Sequence, residues 1–208
     1  MLACLDLEGV LIPEIWVNFA EKTGIDALRA TTREVPMYRD LMAQRLRILD
    51  QHGLGIHEIQ EVIAELTPLE GAGDYLEWLK ERFEVVILSD TFYEFAEPLM
   101  RQLGFPTLFC HSLQVHPETG RIEDFKLRME DQKRAAVKAF HGLNFQVIAS
   151  GDSYNDVTML SEADAGILFC PPPSVIEEFP QYPVVSDYDE AREEFLKAKA
   201  RIEMGATS

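Results

Sequence analysis

Asp6 and Glu8 stand one residue apart at the end of a short apolar run, Ala3-Cys4-Leu5, and lead into Gly9. Period-two geometry puts both carboxylates on the same side of an extended chain. Two acids so placed can divide labour: one attacks phosphorus and forms an acyl phosphate, while the other moves protons. Asp6, nearer the strand, is the expected nucleophile and a metal ligand. Glu8 is placed to protonate the leaving oxygen and then to take a proton from incoming water or alcohol. Phosphoryl transfer also needs Mg²⁺ and fixed positive charge. Mg²⁺ prefers octahedral oxygens, one or two of them carboxylates. The turn Gly151-Asp152-Ser153-Tyr154-Asn155-Asp156 offers Asp152 as the second carboxylate, with Asp156 beside it to hold a metal-bound water or to orient Asp152. The Glu8 backbone carbonyl is the remaining candidate, so the expected metal set is Asp6, Glu8, Asp152 and Asp156. Asn155 opens the next helix, facing phosphate or substrate.

Two more pieces complete the set. Ser89 follows the apolar run Val86-Ile87-Leu88, and its hydroxyl, with the free N–H groups of a following turn, would cradle a phosphate. Lys133 would neutralise the phosphate and the acyl-phosphate intermediate. Each piece has an ordinary reading when taken singly: a capping acid after a strand, a Ser-Asp helix cap, a solvated lysine. Their order along one chain is what makes the chemical reading.

The elements that must position these residues alternate. Leu2 to Leu5, Val85 to Leu88, Val147 to Ala149 and Gly166 to Phe169 read as short buried strands. Helical patterns cover Leu76 to Phe83, Phe92 to Leu103 (ended by Gly104), Gln132 to Phe140 and Asn155 to Ala163. That rhythm predicts an α/β fold, a Rossmann-like core with a central parallel sheet. Residues 13–67 break it, because Ile15, Phe19, Ala20, Leu41, Leu46 and Leu49 repeat at helical spacing and Ile59 to Leu66 adds another helix. The expected division is therefore a core of 1–12 and 68–208 with a small helical cap, 13–67, inserted after the first strand. Phe109 to Val115 and Ile122 to Leu127, joined by Pro117-Glu118-Thr119-Gly120, read as an antiparallel β-hairpin. Pro171-Pro172-Pro173 reads as a rigid loop, and the acidic segment Asp187 to Glu194 as a last helix.

Bulk composition narrows the partners. With 36 acidic residues against 19 basic ones in 208, the net charge of −17 argues against nucleic acid, which requires Lys/Arg clusters. An anionic substrate would need local help from a metal or placed cations. Three scattered cysteines without CxxC spacing argue against a disulfide framework or a zinc site and for a reducing compartment. No apolar run approaches the ~20 residues of a membrane helix, and the start lacks a secretory pattern. A cytoplasmic protein is expected, with no membrane partner. Its oligomeric state stays open, a homodimer being one option.

Taken in order, Asp6-Leu7-Glu8-Gly9-Val10, Ser89, Lys133 and Gly151-Asp152 to Asp156 resemble the motifs of the haloacid dehalogenase superfamily of phosphotransferases: DxDx[TV], a strand-end Ser/Thr, a Lys, and GD followed by acids. The likeness covers essentially the whole chain, and it implies that the helical insertion is a lid supplying specificity. Within the superfamily the chain is most similar to phosphoserine phosphatases, in its GDxxND wording, Glu70-Gly71 and the hairpin near residue 115. That resemblance implies that Glu14 holds a substrate ammonium and Arg45 its carboxylate. An Arg fork suits a carboxylate, and Arg47 is the competing candidate. Two departures stand out: Glu8 replaces the usual Asp, and Ser89-Asp90-Thr91 replaces Ser-Gly-Gly. Both resemble the bifunctional phosphoserine phosphatase/homoserine phosphotransferase subgroup, as do the DLEGV…PEIW and ILSDTFYEF segments. The resemblance thus implies Mg²⁺, a small phospho-amino acid as donor, and water or homoserine as acceptor. Asp90 could contact an acceptor's amino group or only cap a helix. Two other readings remain open: the same chemistry on another small phosphate ester, and a non-catalytic phospho-amino-acid sensor suggested by Glu8.

Overall fold

The computed structural model describes every residue except 32, 33, 36 and 206–208. At its centre lies β1 (Leu2–Leu5), four consecutive buried residues, the mark of a strand covered on both faces. β1 pairs in parallel with β2 (Glu84–Phe92) on one side and β5 (Val147–Gly151) on the other. β3 (Leu108–Val115) continues in parallel beyond β2, and β4 (Ile122–Lys126) closes that edge antiparallel, forming the expected hairpin. β6 (Ala165–Phe169) and β7 (Val184–Val185) extend the other edge, giving the order β4-β3-β2-β1-β5-β6-β7.

Period-two alternation sorts the side chains into two cores. Ala3, Leu5, Ile87, Ile148 and Ile167 join one buried cluster with Leu76 of α4 (Ala72–Lys80), Phe95 of α5 (Tyr93–Gln102) and Phe195 of α9 (Tyr188–Gly205). Leu2, Cys4, Val86, Leu88, Val147 and Ala149 join the other with Val137 of α6 (Gln132–Gly142), Met159 and Leu160 of α7 (Val157–Glu162), and Val175 of α8 (Pro173–Glu178). Each fully buried side chain of this size contributes ~1.5–3 kcal/mol, so the strand ends are held by both layers.

Between β1 and β2 come α1 (Ile15–Thr23), a 3-10 turn (Asp26–Arg29), α2 (Tyr38–Gln51) and α3 (Ile56–Ala64). The range 13–67 includes residues 32, 33 and 36, which lie outside the described residues. In α2 the buried positions are Leu41, Met42, Arg45 and Leu49, one stripe at helical spacing. Arg45 is therefore carried on the apolar face, and Arg47, two residues on, is exposed. The hairpin turn meets these helices where Ile56 N–H donates to the Gly120 carbonyl at 2.8 Å.

Three local expectations need correction. β2 does not end at Leu88 but runs to Phe92, because a register shift between Leu88 and Phe92 lets it go on pairing with β3 at His111. Ser89, Asp90 and Thr91 are thus strand residues. The next helix opens only at Tyr93, without a side-chain cap, so neither Ser89 nor Asp90 caps it and no helix N-terminus follows Ser89 directly. Asn155 lies in a short 3-10 turn, Tyr154–Asp156, ahead of α7. Pro173 is the first residue of α8 rather than part of a loop, a position where its missing N–H has no helical partner to lose.

Candidate active site

From β1 the chain moves outward through β2 and β3, then returns to β5 on the opposite side of β1. The crevice outside the carboxyl ends of β1 and β5 is where an open α/β sheet takes ligands. Asp6 lies there, immediately after β1, its N–H donating to the Ser150 carbonyl at 2.9 Å. Two glycines let the acidic turns close up. Gly9 has φ +76°, and a Cβ on it would sit 2.6 Å from the Asp152 carboxylate. A Cβ on Gly151 would overlap the Asp156 side chain.

Lys133 is the hub of the charges. It is 2% exposed, and its Nζ lies 2.7 Å from Asp156 Oδ1, 2.9 Å from Asp6 Oδ1 and 3.7 Å from Asp90 Oδ2. Burial alone would lower its pKa, but Asp156, Asp6 and Asp90 hold it well above the usual lysine range. Burial, reinforced by Asp156, pushes Asp6 well above the usual carboxylate range despite Lys133. The same two causes in the same order bring Asp152 up to about 7. Asp156 Oδ2 accepts the N–H groups of Asp152 and Ser153 at 3.0 and 3.1 Å, so both of its oxygens are engaged. Asp6, Asp152 and Asp156 each offer a carboxylate oxygen within 4.8 Å of the others. Three hard oxygen donors crowded this closely, two of them with raised pKa, fit a divalent cation such as Mg²⁺.

Beside this cluster, Ser89 Oγ accepts the Thr91 N–H at 3.2 Å. Asp90 accepts from Asn155 Nδ2 at 3.0 Å, and its other oxygen lies 3.6 Å from His111 Nε2. Burial alone would raise Asp90, but Lys133 and the hydrogen bonds from His111 and Asn155 hold it well below the usual carboxylate range. Gln132 donates to the Ser89 carbonyl, and the Tyr38 hydroxyl donates to the Asp90 carbonyl at 2.7 Å, tying the start of α2 to β2.

The opposite wall comes from the inserted helices. Glu8 Oε2 accepts the Ile15 N–H at 2.9 Å, and burial raises the Glu8 carboxyl. Glu14, just ahead of α1, is open at the pocket mouth. Desolvation within the cleft, with Glu8 next to it, pushes Glu14 up to about 7. Arg45 Nη2 donates to the Ala30 carbonyl at 2.8 Å, and its guanidinium lies 4.4 Å from the Trp16 ring centre. Burial lowers Arg45 to about 10, with Tyr38, Glu8 and Glu14 opposing the fall. Together these groups enclose a cavity of about 630 Å³ lined by Asp6, Glu8, Glu14, Arg45, Ser89, Asp90, Lys133, Asp152 and Asn155. Asp156 is fully buried beneath it, and Arg47, hydrogen-bonded to the Ala43 carbonyl, is outside.

Trp16, Tyr38 and Thr91 also line the cavity, and His111 and Gln132 support it from behind. Sequence reasoning named Thr91 only as part of the Ser89-Asp90-Thr91 segment and gave the other four no role. Gln132 could have been flagged by its place next to Lys133 and Tyr38 by opening a helix, but His111 and Trp16 carry no local signal.

A family model described as haloacid dehalogenase-like hydrolase matches residues 2–164. The chain belongs to this family. Among haloacid dehalogenase-like hydrolases it is 64% identical over 200 residues to "Phosphoserine phosphatase ThrH" of Pseudomonas aeruginosa, covering 96% of this chain and 97% of that one. "Phosphoserine phosphatase" of Pseudomonas syringae pv. tomato is likewise 64% identical over 200 residues, covering 96% and 84%. Among solved structures, "Phospho-Aspartyl Intermediate Analogue of Phosphoserine phosphatase" superposes with a TM-score of 0.76 at 21% identity, covering 93% of this chain and 97% of that one. The likeness extends the shared architecture of this hydrolase family to the fold seen here.

Proposed function

We propose that this hydrolase is a phosphoserine phosphatase working through an aspartyl phosphate on Asp6, and that it also passes the phosphoryl group to homoserine. The observation that carries the reading is one cavity with two unlike walls. The buried Asp6–Lys133 pair and two further aspartates stand at the sheet end, and Glu14 and Arg45 stand on the helical wall. The two relatives at 64% identity, both named phosphoserine phosphatase, support the substrate.

In this mechanism the phosphate enters against Lys133 and Ser89. Asp6 Oδ1 is occupied by Lys133 and by the Leu7 N–H at 2.7 Å, while Oδ2 carries no hydrogen bond among the described residues and is the attacking oxygen. Attack forms the Oδ2–P bond as the bond from phosphorus to the serine oxygen breaks. Glu8, kept protonated more readily by burial, gives its proton to that oxygen. It then removes a proton from water, or from the hydroxyl of homoserine, as that oxygen attacks phosphorus and frees Asp6. The two acceptors use the same relay, and the transferase half of the proposal rests on the DLEGV…PEIW and ILSDTFYEF resemblance. Mg²⁺, when bound, would neutralise charge on the transferring phosphoryl group. Asp6, Asp152 and the Glu8 carbonyl would hold it, with Asp156 fixing the Asp152 turn and Lys133. The helices of 13–67 act as the cap, with Glu14 on the substrate ammonium and Arg45 on its carboxylate. The reaction belongs in the cytoplasm, consistent with three free cysteines and with no described helix long and apolar enough to cross a membrane.

The test incubates the protein with Mg²⁺, O-phospho-L-serine and L-homoserine and measures inorganic phosphate and phosphohomoserine in one sample. Both products are expected. Phosphate alone removes the transferase half, and neither product overturns the reading.

A further inference from the structure

We propose that Trp16 determines specificity by positioning Arg45, so that selection for a substrate carboxylate depends on an indole ring as well as on the arginine. This deepens the phosphoserine reading and rests on it. The guanidinium sits 4.4 Å from the Trp16 ring centre, close enough for the electron-rich face to attract a desolvated cation. The ring itself is fixed. It is 8% exposed and packs edge-on against Phe95 at 5.5 Å and Phe19 at 6.3 Å. A second anchor, the Ala30 carbonyl, takes Arg45 Nη2, and Met42 Sδ lies 3.8 Å from Nη1. Arg45 Nε is buried with no partner among the described residues, so the guanidinium keeps an unused donor. An arginine has several rotatable bonds and would otherwise lose much freedom on capturing a carboxylate. Held over a wedged ring and tied to the Ala30 carbonyl, it is already ordered. Trp16 is the second residue of α1 and Glu14 directly precedes that helix, so one helix start delivers both the acid for the ammonium and the platform for the guanidinium.

The experiment compares O-phosphoserine with O-phosphoethanolamine, which keeps the phosphate and ammonium but lacks the carboxylate. For Trp16→Leu the KM for phosphoserine should rise about tenfold, the scale of a desolvated cation–π contact. Its kcat should hold, and kcat/KM for phosphoethanolamine should stay within about twofold. Trp16→Phe, which keeps a smaller ring and the cavity wall, should raise the phosphoserine KM about threefold. It is the variant to read if a thermal melt shows the leucine protein unfolded. In an Arg45→Ala background either substitution at Trp16 should add nothing further to the phosphoserine KM. Equal losses on both substrates would make Trp16 a mere wall, and an unchanged phosphoserine KM would remove it from recognition; either result overturns the proposal alone. A wild-type protein with no preference for phosphoserine overturns the substrate reading and the proposal with it.

Discussion

The two walls of the cavity are built on different physical terms. At the sheet end the charged groups hold one another: Lys133 meets three carboxylates, Asp156 spends both oxygens on protein donors, and Asp90 is bound by Asn155. On the helical wall the groups are held by a ring and by backbone, as in Arg45 against Trp16 and the Ala30 carbonyl, and Glu14 is exposed beside Glu8. The first arrangement is preorganised for charge that develops during reaction. The second leaves donors and acceptors for a ligand to complete, which is what selection among substrates requires. In the proposed mechanism chemistry thus leans on the sheet end and choice on the helical wall, and Glu8, bonded to the Ile15 N–H at the start of α1, meets both.

The largest expected effect is at the sheet end. Asp6→Asn should cut phosphate release from phosphoserine by at least about 10⁴-fold, on the scale of removing a nucleophile. It should leave phosphoserine binding, measured by calorimetry, largely intact. Ordinary turnover by this variant would erase the distinction between the walls. Next, Lys133→Met leaves buried carboxylates uncompensated and should lower stability by about 3 kcal/mol in urea unfolding, besides abolishing activity. A stability change below the noise of that titration would mean that the lysine is not the hub its contacts describe.

The helical wall should respond through KM. Arg45→Ala is expected to raise the phosphoserine KM about 100-fold, the loss of charge-assisted hydrogen bonds, with kcat little changed. Arg47→Ala should match wild type in the same assay. A fall in kcat as large as the rise in KM would move Arg45 to the chemical wall.

The smallest effect is on the pH dependence of metal-free stability. Asp152 and Asp6, and with them Glu8 and Glu14, have folded pKa values raised above their unfolded ones, Asp152 and Glu14 to about 7. The folded state therefore binds more protons between the unfolded carboxylate pKa of ~4 and pH ~7, and stability must fall as pH rises through that window. Asp90 is shifted the other way, but its contribution is lost only below that window. The metal-free melting temperature should decline from pH 5 to pH 7.5, Mg²⁺ should restore it at pH 7.5, and Asp152→Asn should flatten the slope. A melting temperature that rises over this range would reverse the sign assigned to the cluster.

Much of the sheet-end wall was legible because its residues sit at fixed offsets from buried strands. A run such as Leu2–Leu5 ends where its apolar residues end, and the next side chain, Asp6, falls at the sheet's edge. Ser89 shows the limit of that logic. Its strand continues through polar residues because β3 offers a partner as far as His111, a fact no local pattern contains. On the helical wall, Arg45 was legible only through a family likeness. Its position in the buried stripe of α2 explains its place in the cavity, but a charged residue on such a stripe gives no sign of what receives it.

By itself the sequence determined the alternation of strand and helix, the helical run between the first two strands, the hairpin and the order of the acidic turns. All are local consequences of apolar period, glycine and chain direction. Only the tertiary structure decided that Asp6, Asp156 and Asp90 converge on one buried lysine, that Trp16 rather than another aromatic faces Arg45, and that Tyr38 fastens α2 to β2. Those contacts join residues far apart in the chain. They are set by which strands pair, in what register, and by the cost of burying a charge without its partner, none of which is encoded in neighbouring residues.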